Sequence, residues 1–171
     1  MTMTKALTPN IPNLTRLAEV LFALPQGWKI DLDTYATAGE GVGTHACGTT
    51  VCAIGYGALD PVLMKRGLRM TGPDDILIKS VAHFNAVVKA NPGSDFGIKI
   101  KGQTSFAPGV TDAAFFGIDS IAWNAHFQDC GYGHLKGKPT ARDVAMKLNK
   151  TFKLGLKAPR KSRAKAVEIA A

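Results

Sequence analysis

The chain has 171 residues, 46% of them hydrophobic and 20% charged, which is enough for one substantial core and too few for two. Apolar runs such as Val20 to Leu24 and Ala113 to Phe116 fall far below the ~20 residues a membrane span needs. No charged-then-apolar leader opens the chain, and its three cysteines lack extracellular framework spacing, so a soluble protein of a reducing cytoplasm is expected, with no membrane partner.

The net charge of +8 is unevenly placed. From Lys136 onward, eleven lysines and arginines face only Asp143 and Glu168, a net +9, which leaves −1 for residues 1–135. The body of the chain is close to neutral, and its C-terminal fifth carries the positive charge.

In chain order, residues 1–9 read as a loose leader, and Pro12 stands where a first helical turn tolerates proline. Leu14, Leu17, Ala18, Leu21 and Phe22 recur at helical spacing until Pro25-Gln26-Gly27 stops the helix. Trp28, Ile30 and Leu32 alternate with Lys29, Asp31 and Asp33, which predicts a short strand or extended edge. The glycines at 39, 41 and 43 mark a loop that leads into Cys47 to Gly55, CGTTVCAIG. There Thr49 and Thr50 are placed to cap a helix, and the small residues Cys52, Ala53, Gly55, Gly57 and Ala58 would let another element approach its backbone. That helix should end or kink at Pro61, with a further turn closed by Gly67.

A second amphipathic helix is predicted from about Pro73 to Ala90, with Leu77, Val81, Phe84 and Val88 on one stripe. Phe96, Ile98 and Ile100 alternate with Gly97, Lys99 and Lys101 as a strand would. Residues 111–128 read as a helical corner turning at Gly117. Thr140 with Asp143 resembles a capping box, and Val144, Leu148 and Phe152 continue a last amphipathic helix. The fold expected is α+β and mainly helical: about five helices around a small-residue helix, with one or two short strands. Residues 1–155 would form one globular domain, and residues 156–171 a basic C-terminal tail.

Few patterns carry chemistry. Cys47-x4-Cys52 and His126-x3-Cys130 supply four donors of a kind that suits zinc. Buried free cysteines also behave as small hydrophobes, so core packing is preferred and no metal or other cofactor is expected. Cys47 at a helix start, with His45, His126 or His134 as base, would suit a thiolate nucleophile. No partner motif accompanies it, and no catalytic residue is assigned. The corner at 111–127 has the layout of a DNA-reading helix-turn-helix, but Asp119, Ser120, Ala122 and Asn124 give it a poor recognition face. The Gly-rich 39–43 segment lacks the Gly-Lys-Ser/Thr ending of a phosphate loop.

The CGTTVCAIG run and the corner around Gly117 resemble a group of small phage-encoded proteins that share a CGTxxCxxG segment and a Phe-Gly-Leu-type helix corner. The resemblance implies a bacterial host cytoplasm and carries no activity with it. The clearest functional hint is Lys157, Arg160, Lys161, Arg163 and Lys165, a cluster without acidic residues or aromatics, suited to neutralising phosphates without reading bases. The reading is therefore a non-enzymatic phage accessory protein that binds a macromolecule. Nucleic acid is its first partner, ahead of an acidic host protein in an inhibitor's role, with a cysteine- or zinc-dependent enzyme as the remaining alternative.

Overall fold

The computed structural model describes residues 7–32, 35–38, 49–102 and 110–159. Among them the fold is α+β and mainly helical, with a small antiparallel sheet of strand order β2-β1-β4-β3. The helices are α1 (Ile11–Ala23), α2 (Ala53–Leu59), α3 (Pro61–Lys65), α4 (Val81–Ala90), α5 (Val110–Phe116), α6 (Ser120–Phe127) and α7 (Ala141–Phe152). The strands are β1 (Ala36–Ala38), β2 (Thr49–Val51), β3 (Leu68–Thr71) and β4 (Asp95–Ile100).

Local chemistry explains the helices that the pattern located well. The Asn10 side chain accepts the Asn13 amide at the start of α1, Pro12 sits in its first turn, and Leu14, Leu17, Ala18 and Leu21 form its buried stripe. At α7, Thr140 accepts the Asp143 amide while the Asp143 carboxylate accepts the Thr140 amide, a complete capping box. Val144, Ala145 and Leu148 then pack toward α1. Arg142 lies 5.9 Å from the Phe22 ring and covers that seam.

The cysteine run departs from expectation at its start. Thr49–Val51 is a strand paired antiparallel with β1, Ala36 opposite Val51, so the helix does not start at Thr49 or Thr50. Three consecutive β-branched residues favour the pleated backbone, and the helix waits until Cys52 can serve as N-cap, its sulfur accepting the Gly55 amide at 3.3 Å. All seven residues of α2 are buried, between α1 and β3. A Cβ at Gly55 would lie 2.6 Å from Val51 Cγ1 and closer still to the Tyr35 carbonyl oxygen, so only glycine admits this approach.

Two further expectations need correction. The segment Trp28 to Leu32 forms a single bridge, Lys29 to Thr140, with the Ile30 amide donating to Pro139 and the Ala141 amide to Trp28. Its neighbour enters α7 immediately afterwards, so no ladder can extend, although Ile30 and Leu32 are buried as alternation requires. The helix predicted from Pro73 begins only at Val81, after Ser80 caps it. Between them the chain makes a 3-10 turn at Pro73–Asp75 and then runs beside β3, with Gly72 donating to Ile76 and Ile78 donating to Met70. Leu77 and Val81 are consequently exposed, whereas Phe84 and Val88 are buried.

The corner of α5 and α6 turns at Gly117, whose φ of +65° and approach to Thr8 and Asn10 leave no room for a Cβ. Its buried face is Ala113, Phe116, Trp123 and Phe127, which makes it a packing unit. Beyond α7 the chain folds back, Asn149 bonding both amide and carbonyl of Leu156, so Leu154 and Leu156 pack on the core before Lys157 points to solvent. Among the described residues no helix is long and apolar enough to cross a membrane.

Candidate functional site

Antiparallel pairing of β3 with β4 sets Arg69 directly opposite Lys99, and Lys101 follows two positions on, its amide donating to Gly67. On the other edge of β3, the Ile78 to Met70 bond draws in residues 76–79 and delivers Lys79 to the same place. Arg69, Lys79, Lys99 and Lys101 thus converge on one open cleft of about 480 Å³. Leu77, Ile78 and Ile100 also line it; Ile78 is fully buried and Ile100 packs on the core, so the open aliphatic surface is that of Leu77.

Among the described residues, one carboxylate pairs with these four cations. Asp75 Oδ2 lies 3.0 Å from Lys99 Nζ, and its side chain is 77% exposed. Asp74 and Asp75 both hold left-handed backbone, φ 59° and 63°, which lets the short turn carry Asp75 to Lys99. Like charges gathered in a concave, partly apolar site raise the local potential and favour anions. Among the described residues its lining side chains are four cations and three aliphatics.

The remaining candidates from the sequence are scattered. Lys157 is exposed at the end of the described chain, and Arg160, Lys161, Arg163 and Lys165 lie outside the described residues, as do His45 and Cys47. Of the other three sulfur and nitrogen donors, Cys52 is buried at the N-cap of α2, while Cys130 is exposed in the 3-10 turn after α6. Among the described residues, no three His, Cys, Asp or Glu side chains are placed to hold a metal ion.

His126 has a structural environment. Its Nδ1 lies 2.7 Å from the Ala122 carbonyl oxygen, which can only accept, so Nδ1 carries the proton and Nε2 is left bare and buried. Burial lowers its pKa, the Ala122 carbonyl acts in the opposite direction, and nearby Lys147 lowers it further. Lys147 donates to the carbonyls of Ala125 and Gly131 and stands 4.3 Å from the centre of the Tyr132 ring. It closes the C-terminal end of α6, as a cation there should.

A charge sum cannot find this cleft, because acidic residues elsewhere hide it within the neutral body. The one local trace is Lys99 and Lys101 at strand spacing, which places both on one side of β4. No protein-family model, curated protein or solved structure matches the chain.

Proposed function

We propose that this protein binds nucleic acid through its phosphates, without catalysis, using the β3–β4 cleft together with the basic C-terminal residues. The convergence of Arg69, Lys79, Lys99 and Lys101 on one concave surface carries this reading. Lysine and arginine supply sequence-independent phosphate contacts, and each contact releases a condensed counterion. Lys157, Arg160, Lys161, Arg163 and Lys165 add a second cationic segment in the same chain. A bacterial host cell, the setting implied by the CGTxxCxxG resemblance, contains such ligands in abundance.

The test is a salt titration of oligonucleotide binding by the full chain. Each neutralised phosphate contributes about 0.7 to the slope of log K against log salt on single strands and about 0.9 on duplex. Replacing Lys79 and Lys101 by methionine should flatten the slope by about 1.4 to 1.8. Truncation after Leu156 should flatten it by about 3.5 to 4.5, since five cations leave. Unchanged affinity and slope in the Lys79→Met, Lys101→Met variant would remove the cleft from the interface.

A further inference from the structure

We infer that the cleft accepts unpaired nucleotides, which makes single-stranded DNA or RNA its ligand class. The inference rests on the phosphate-binding reading above. It starts from the combination of charge and apolar surface at one place. The cations Arg69, Lys79, Lys99 and Lys101 share the cleft with Leu77, Ile78 and Ile100, and its volume of about 480 Å³ is that of a small-molecule site. Leu77 is 45% exposed, and neighbouring Ile76 and Val81 are exposed as well, so apolar surface lies open beside the charges.

A duplex matches the charges but not the shape. Its convex exterior offers phosphates and sugars, while its base faces are stacked inside, so duplex would span the cleft mouth and leave the aliphatic wall wet. An unpaired nucleotide has a free apolar base face to lay on exposed Leu77, and a phosphate on either side for the cations. Sequence-tolerant single-strand binding combines these same two elements, a cationic track and a surface for base faces. Among the described residues the apolar lining is aliphatic.

The experiment measures binding of the full chain, by fluorescence anisotropy at fixed salt, to three labelled probes. These are a thymidine homopolymer, its duplex with the complementary strand, and an abasic strand of the same length and charge. The C-terminal cations act alike on the intact and abasic strands, so that ratio isolates the bases. The intact strand should bind about tenfold more tightly than the abasic strand, and more tightly than the duplex. Leu77→Ser should shrink the base-dependent ratio severalfold without altering the salt slope, and Leu77→Trp should enlarge it; the exposure of Leu77 lets both variants fold. Equal binding of intact and abasic strands, or tighter binding of duplex, overturns the inference while phosphate binding stands. Polyglutamate that displaces the strand as readily as unlabelled strand overturns it in favour of an acidic protein surface. If none of the three probes binds at low salt, the phosphate-binding reading fails with it.

Discussion

Arg16 of α1 grips Asp60 with two parallel hydrogen bonds, Nε to Oδ1 at 3.1 Å and Nη2 to Oδ2 at 2.7 Å. Asp60 is at the same time the N-cap of α3, its Oδ1 accepting the amides of Val62 and Leu63. One carboxylate therefore starts a helix and ties it to the first helix of the fold. Its side chain is 6% exposed and that of Arg16 is 35% exposed, so the pair is partly shielded from water. Asp60→Ala should cost about 2 kcal/mol, through the lost cap and the lost charge-assisted bonds.

The same carboxylate sets the acid limit of the fold. Burial alone would raise its pKa, but the Arg16 hydrogen bonds and the Leu63 and Val62 amides together hold it below the usual aspartate value. A depressed folded pKa contributes stability above the unfolded value of ~3.9, and that contribution is lost as pH falls through the folded pKa. Urea denaturation below pH ~4 should show the wild type losing stability, with Asp60→Asn losing less over the same range.

His126 acts in a separate pH window. Its folded pKa is lowered, chiefly by burial, so the unfolded chain binds the proton more readily. Stability should be complete above the unfolded value of ~6.5 and fall as pH drops below it toward the folded pKa. His126→Phe, which keeps a ring beside Phe127 and Phe152, should abolish the stability change between about pH 7 and pH 5.5. Persistence of that change would assign the titration to another histidine.

Asp75 competes with any anion for Lys99. Asparagine tolerates the left-handed backbone at this position, so Asp75→Asn should free Lys99 without disturbing the turn. Nucleic-acid affinity should rise severalfold, and the salt slope should steepen by about 0.7 to 0.9. Because the pair is exposed, thermal stability should scarcely move. Combining the change with Lys99→Met should cancel the gain.

The small-residue helix is a stringent packing site. Ala53 is fully buried in the first turn of α2, with Cys52 before it and Ile54 and Gly55 after it. Ala53→Leu should destabilise the protein by about 1–3 kcal/mol, because a close-packed interior does not absorb three added carbons. A melting curve like that of the wild type would show that the surroundings of α2 are looser than their burial implies.

Features legible in the sequence are those whose physical cause is local. Thr140 and Asp143 are three residues apart and cap α7 with no help from the rest of the chain. Leu14, Leu17, Ala18 and Leu21 mark α1 because a 3.6-residue period puts them on one face. Gly117 announces its turn, and the run from Cys52 to Ala58 announces burial by its small side chains. Where causes act across the chain, sequence reading fails. Thr49 to Val51 became a strand because β1 was there to pair with it, and Trp28 to Leu32 did not because its neighbour turned into a helix. Residues 76–78 left the expected helix to bond along β3. The cleft is the extreme case, since Arg69, Lys79, Lys99 and Lys101 are ordinary surface cations until strand register sets them side by side. Register is decided by hydrogen-bond partners remote in sequence, so charge was legible as a total, and its convergence was decided by the tertiary structure alone.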